Sequence, residues 1–67
     1  MAFEGYQVRV IKERDELNDR LRRLRIYLTT GHYDGLSRVD REDLFNQSVH
    51  MNNYLDVLNR RIGRFNG

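Results

Sequence analysis

The sequence predicts an all-α fold: a single two-helix antiparallel hairpin, coiled-coil-like, that is assembled as a homo-oligomer. Apolar residues recur every seven positions in two segments, and one glycine-containing segment separates them. The chain has 67 residues and no cysteine. Two helices alone bury only one stripe each, and scaffolds of this size need a disulfide, a metal or self-association. With no disulfide available and no zinc ligands beyond His32 and His50, self-association is expected.

The whole chain, residues 1–67, is predicted to be one domain, with a first helix at about residues 4–29, a loop at about 30–39 and a second helix at about 40–65. Gly31 is expected just past the end of the first helix, and Asp40 is expected to cap the second. The predicted core stripe consists of Val10, Leu17, Leu21, Leu24, Leu28, Leu44, Met51, Leu55, Leu58, Ile62 and Phe65. The predicted cap at the loop end consists of Tyr33, Leu36 and Val39.

The short loop forces the two helices to run antiparallel, with the chain ends together at one tip. Residues whose numbers sum to about 70 should then lie at the same level. This places Arg9 level with Arg61, and Glu13 level with Val57.

Several apolar residues do not fit the stripe. Phe45 and Val49, and Tyr54 and Val57, are spaced as neighbours on a helix, and Tyr6 and Tyr27 also lie off the main face. Helices that are apolar on more than one side are usually buried on more than one side, which favours contacts with other subunits. The alternative is a monomer in which these residues are scattered over the surface.

The sequence contains no catalytic motif of the Walker, HExxH or GxSxG type. His32 lies beside Tyr33 and Asp34 in the loop, and His50 lies within the second helix. A hairpin offers no concave pocket in which such groups could exclude water during proton transfer. The protein is therefore expected not to be an enzyme and to need no catalytic residue, metal or cofactor.

Lys12 is the only lysine among the twelve basic residues, so the other eleven are arginines, although the net charge is only +2. Helix dipoles and pairs at i, i+4 spacing explain much of this content; the expected pairs are Glu16–Arg20, Asp19–Arg23 and Asp56–Arg60. For the preference of arginine over lysine, arginine-rich codon usage and a ligand that requires the planar guanidinium group are equally good explanations.

The tip with the chain ends is different. There Arg9 lies near the start of the first helix, where the dipole disfavours a cation, and it is level with Arg61 and near Arg60. Such a cluster favours an anionic ligand.

The second helix also contains five side-chain amides, which either form hydrogen bonds with the edges of nucleotide bases or are solvated surface. They are Asn46, Gln47, Asn52, Asn53 and Asn59.

The segments RVIKERDELNDRLRRL and DREDLFNQSVHMNNYLDVLNRRIGRF, joined by a loop containing Tyr33 and Leu36, resemble the helical hairpin shared by phage anti-CBASS and anti-Thoeris nucleotide sponges. The polar residues that carry the resemblance are Arg9, Glu13, Gln47, Tyr54 and Arg61. The resemblance implies an oligomeric, often hexameric, protein in the cytoplasm of an infected bacterium. It also implies binding of cyclic di- or trinucleotide immune signals, which are kept from their effectors.

The leading hypothesis is therefore a phage immune-evasion protein that sequesters a cyclic nucleotide without cleaving it. The residues expected to bind the ligand are Arg9, Glu13, Gln47, Tyr54, Arg60 and Arg61. The main alternative is a small inhibitor or adaptor that contacts another protein through Phe45, Val49, Tyr54 and Val57. DNA binding is disfavoured by the near-neutral charge, and no apolar run is long enough for a membrane span.

Overall fold

A computed structural model describes residues 3–65 of the chain. It contains three helices, α1 (Gly5–Tyr27), α2 (Gly31–Asp34) and α3 (Arg38–Gly63), and the described residues include no β-strand. The long helices α1 and α3 pack against each other as an antiparallel hairpin. No helix within this part of the chain is both long and apolar enough to cross a membrane.

The first helix begins and ends through local hydrogen bonds. At its start the backbone N–H of Glu4 donates to the Gln7 side chain at 2.7 Å. At its end the hydroxyls of Thr29 and Thr30 donate to the carbonyls of Ile26 and Tyr27, both at 2.7 Å. The two threonine hydroxyls add a second hydrogen bond to carbonyls that also accept from the backbone N–H groups of Thr29 and Thr30 in the last turn. Gly31 was expected just past the end of the first helix. It instead begins the short helix α2.

The third helix begins two residues earlier than expected because Ser37, not Asp40, is its N-cap. The Ser37 hydroxyl accepts a hydrogen bond from the Asp40 backbone N–H at 3.2 Å. Both residue types can cap a helix, so composition alone did not separate them. Asp40 instead lies in the first turn, where its charge suits the helix dipole.

The core follows the predicted stripe. Leu21 and Leu58 are fully buried, at 0% exposure, and Val10, Leu17 and Leu55 complete the buried cluster. The remaining stripe residues are partly buried: Leu24, Leu28, Leu44, Met51, Ile62 and Phe65. Ser48 also lies on this face and is buried, and its hydroxyl donates to the carbonyl of Phe45 at 2.6 Å.

Aromatic contacts close both ends of the hairpin. At the open end the ring of Phe65 packs against Phe3 and Tyr6, with centroid distances of 6.2 and 6.0 Å, which confirms that the chain ends meet. At the loop end Tyr33 packs edge-on against Tyr27, at 6.4 Å. Leu36 is partly buried, as expected for the loop cap, but Val39 is 66% exposed because it lies about 140° around α3 from the core-facing residue Leu44.

The apolar residues outside the stripe are exposed, but they do not form one face. Phe45, Val49, Tyr54 and Val57 are all exposed. With a rotation of about 100° per residue, Phe45 and Val49 lie on one side of α3, while Tyr54 lies on the opposite side. These four residues, which were predicted to contact another protein, therefore lie on two sides of α3 and not on one face.

Candidate functional site

One long side of the groove between α1 and α3 carries the residues of most interest, and we call it the Tyr54 side. Gln47, Tyr54 and Arg61 are seven residues apart, which is about two turns, so they form a row along α3. Glu13 and Arg20 have the same spacing on α1. The Tyr54 side is defined by these five residues.

A direct contact between the helices joins the two rows. The hydroxyl of Tyr54 donates a hydrogen bond to the Glu13 carboxylate. This bond, with partial desolvation and the negative charge of Glu13, raises the pKa of Tyr54 above its ordinary value near 10. The nearby charges of Arg61 and Arg20 act in the opposite direction and lower that pKa. A carboxylate, a phenol and two guanidinium groups therefore influence one another here.

The cations of this region have few internal partners. Within residues 3–65, neither Arg20 nor Arg61 forms an ion pair with a carboxylate, and the same is true of Arg9. Arg20 lines a shallow cleft of about 240 Å³ together with Glu16, Asp19 and Arg23. Guanidinium groups without a carboxylate partner are available for planar, two-point contacts with a phosphate.

The other predicted ligand residues are Arg9, Gln47 and Arg60, and they do not take part in the Tyr54–Glu13 contact. Arg9 lies one turn before Glu13, and a side chain added at Gly5 would meet its guanidinium at 3.9 Å, so this group points back towards the chain start. Gln47 is exposed, and its amide lies 3.9 Å from the sulfur of Met51. Arg60 is exposed and lies about 100° around α3 from Arg61, on the outer surface rather than on the Tyr54 side.

The comparison with protein families matches the Sequestin family over residues 4–64, nearly the full chain. The chain belongs to the Sequestin family. This membership confirms the resemblance drawn from Arg9, Glu13, Gln47, Tyr54 and Arg61 to sequestering, sponge-like anti-defence hairpins. Comparisons with the curated proteins and with the solved structures found no match.

The opposite side of this Sequestin hairpin uses its polar groups for internal packing. Arg14 donates to the side-chain oxygen of Asn59 at 3.0 Å, and Arg25 donates to that of Asn52 at 2.8 Å. These two asparagines therefore bind the neighbouring helix, which sequence analysis missed. The predicted register of about 70 places Asn59 within three residues of the level of Arg14, but it places Asn52 seven residues from the level of Arg25, so only the first pair had a signal in the sequence.

The surface ion pairs of the Sequestin chain agree only partly with the expected set. Asp19 does pair with Arg23, at 3.0 Å, and also with Arg22, at 3.1 Å. Glu16 approaches Lys12, at 4.0 Å, instead of Arg20. Among the described residues, Asp56 and Arg60 form no ion pair. The consequence is that Arg20 remains available on the Tyr54 side.

The Tyr54 side is suited to binding a planar anion. Its guanidinium groups match phosphate oxygens in geometry and charge, and the exposed ring of Tyr54 offers a surface for stacking. Glu13 holds the hydroxyl of that ring from the neighbouring helix. The side chain is thereby oriented before any ligand arrives, which reduces the entropy lost on binding.

Proposed function

We propose that this protein binds and sequesters a cyclic oligonucleotide second messenger of bacterial immunity, without cleaving it, as a phage immune-evasion protein. Membership of the Sequestin family over residues 4–64 carries the proposal, since the name of the family refers to sequestration. A protein with this role acts in the cytoplasm of the infected bacterium, where such messengers are made and detected.

The chemistry of the Tyr54 side supports a nucleotide as the ligand. A cyclic di- or trinucleotide presents two or three phosphodiesters and the same number of bases. Arg20 and Arg61 provide charge for the former, and Tyr54 provides an aromatic surface for the latter. We assign Arg9, Glu13 and Gln47 supporting positions along the same rows. Binding without turnover fits a role in which the messenger is withheld rather than consumed.

The proposal includes a homo-oligomer. The hairpin measures 49 × 15 × 14 Å and exposes 5186 Å². A compact monomer of 8.1 kDa would expose about 4,500 Å². The hairpin therefore exposes on the order of 700 Å² more surface than a compact monomer would. This difference is close to the roughly 800 Å² that each partner buries in a standard interface. Exposed apolar residues on both sides of α3 supply such a surface, and a cyclic ligand would suit a symmetric assembly.

Contact with a different protein is the second candidate function. The observation that favours it is the exposed pair Phe45 and Val49, which lies away from the Tyr54 side. In that case the apolar pair would bind a host protein and nucleotides would have no effect.

A thermal melt with a panel of cyclic di- and trinucleotides tests the proposal. A ligand at 100 times its Kd stabilises the folded state by about 2.7 kcal/mol, which for a chain of this size is roughly 10–20 °C in Tm. The ligand should then be recovered unchanged when the protein is denatured. Linear forms of the same nucleotides serve as controls. A protein inhibitor would show no shift with any of them and would co-purify with a host protein.

A further inference from the structure

The loop end of the hairpin contains a second cleft, whose nearest lining residue, Asn46, lies about two turns of α3 before Tyr54. Its volume is about 490 Å³, and it lies between the short helix α2 and about the first two and a half turns of α3. This volume is within the usual range for small-molecule sites, roughly 300–1,000 Å³, so the expectation that a hairpin offers no concave pocket is wrong at this end of the molecule. The residues that line it are Tyr33, Arg38, Arg41, Glu42, Phe45 and Asn46.

Two aromatic rings form part of the wall, and one of them is held firmly in place. The hydroxyl of Tyr33 donates to the backbone carbonyl of Arg41 at 3.1 Å, and its ring packs edge-on against Tyr27. The backbone N–H of Tyr33 also donates to the hydroxyl of Thr30, at 3.3 Å. Phe45, one turn after Arg41, is 56% exposed. A fixed ring and an exposed ring in one cleft can bind a planar group by stacking.

The cleft also contains a guanidinium N–H without a partner. The Nε of Arg41 is buried, and within the described residues no acceptor satisfies it. Buried donors are nearly always hydrogen-bonded, so this N–H gains a partner when the Arg41 side chain turns and brings its Nε to the surface of the cleft. Few acceptors suit this N–H better than a phosphate, which guanidinium groups bind at two points.

The other charges of the cleft leave it positive. Arg38 binds Glu42 at 2.9 Å, but its side chain is 85% exposed and is free to turn towards a bound anion. Two arginines and one glutamate give a net positive lining, and Arg38 is also the first residue of the 26-residue helix α3. The positive end of that helix dipole adds to the attraction for an anion.

We infer that the loop-end cleft is a second binding site, one that takes a phosphate ester attached to a planar ring, such as a nucleoside monophosphate. In this arrangement Arg41 and Arg38 bind the phosphate, Tyr33 and Phe45 bind the ring, and the amide of Asn46 is placed to bond its edge. The inference does not depend on the proposed role of the Tyr54 side.

Nuclear magnetic resonance titration with adenosine 5′-monophosphate tests the site in the full chain. The expected result is a saturable shift of the Tyr33 ring signals, the Arg41 Nε–H signal and the Asn46 amide signals. Inorganic phosphate and adenosine, each offering half of the recognised group, should bind at least about tenfold more weakly. Shifts that are absent, or spread over all exposed arginines without saturation, would overturn the inference.

Variants separate the site from general attraction to positive charge. Arg41→Gln should weaken binding at least about tenfold, and Arg41→Lys should recover only part of the loss because lysine lacks the planar fork. Arg38→Gln, at an exposed position with no role in packing, should weaken binding several-fold even if Arg41 variants fold poorly. The matched control Arg60→Gln removes one exposed charge at the other end of α3 and should change nothing. Equal losses in Arg38→Gln and Arg60→Gln would refute the assignment.

The two proposals fail separately. Arg61→Ala should leave the loop-end titration unchanged, whereas Arg41→Gln should leave any binding of cyclic nucleotides to the Tyr54 side unchanged. Loss of both kinds of binding in either variant would contradict the existence of two distinct sites.

Discussion

Substitution of Arg61 by alanine separates a ligand-binding role from a structural one. Arg61 is exposed, and within residues 3–65 it forms no ion pair. Surface changes of this kind usually alter stability by less than about 0.5 kcal/mol. The ligand-free protein should therefore keep its Tm to within about 4 °C, given a sensitivity of roughly 4–8 °C per kcal/mol in a domain of this size.

The effect on binding should be much larger. A hydrogen bond between a guanidinium and a phosphate contributes about 1.5–3 kcal/mol. Its loss should raise the Kd for a cyclic nucleotide roughly 10- to 150-fold, which isothermal titration calorimetry measures directly. The neighbouring Arg60 provides the matched control, because Arg60→Ala removes the same charge from the outer surface of α3.

The outcome that refutes this reasoning is well defined. If Arg61 instead stabilises the Tyr54–Glu13 contact electrostatically, Arg61→Ala should lower the Tm of the free protein and leave the Kd unchanged. An equal effect of Arg60→Ala on binding would also refute it, since only nonspecific charge would then matter. Titration of Tyr54 gives an independent check: loss of the Arg61 charge should raise the pKa of Tyr54 further.

Three further predictions concern stability. Leu58→Ala should destabilise the protein by about 3–5 kcal/mol in urea unfolding, because Leu58 is completely buried; a cost below about 1 kcal/mol would contradict the described core. Ser37→Ala should cost about 1 kcal/mol and Asp40→Ala less, and the reverse order would restore Asp40 as the cap. Because the pKa of Tyr54 is raised on folding, its contribution to stability is present below pH 10 and is lost as the pH rises through the folded-state pKa. Thermal melts between about pH 8 and 11 should therefore show a steeper alkaline loss in the natural protein than in Tyr54→Phe, and identical curves would contradict the hydrogen bond to Glu13.

The fold could be predicted from the sequence because the heptad pattern encodes it directly. The stripe that contains Leu21 and Leu58 has the period of a packed helix, and the loop between the two stripes is too short for any arrangement other than an antiparallel one. The helix ends were less predictable. Ser37 and Asp40 are both suitable caps, and only the local backbone decides which of them accepts the hydrogen bond.

The Tyr54 side could be predicted in part. The seven-residue spacing of Gln47, Tyr54 and Arg61 is visible in the sequence and places them in a row. The contact between Tyr54 and Glu13 was not predicted, because a register of about 70 pairs Glu13 with Val57 and a long side chain spans the remaining distance. Arg60 is adjacent to Arg61 in the chain, but adjacent helical residues point in different directions, so the two arginines do not share a site.

The loop-end cleft could not be predicted from composition or periodicity. It depends on the turn of helix at Gly31–Asp34, which lay within the segment expected to be a loop. That turn carries the hydroxyl of Tyr33 to the carbonyl of Arg41, and both residues line the cleft. Such a contact between a loop and a helix has no signature in a single sequence.

Native mass spectrometry of the intact protein, with and without cyclic di- and trinucleotides, tests the central claim most directly. It reports the number of subunits and the number of bound ligands in one experiment. We predict an oligomer of 8.1 kDa subunits that retains a cyclic nucleotide of unchanged mass in a fixed ratio to the subunits. A folded monomer that binds none of these nucleotides would contradict the account.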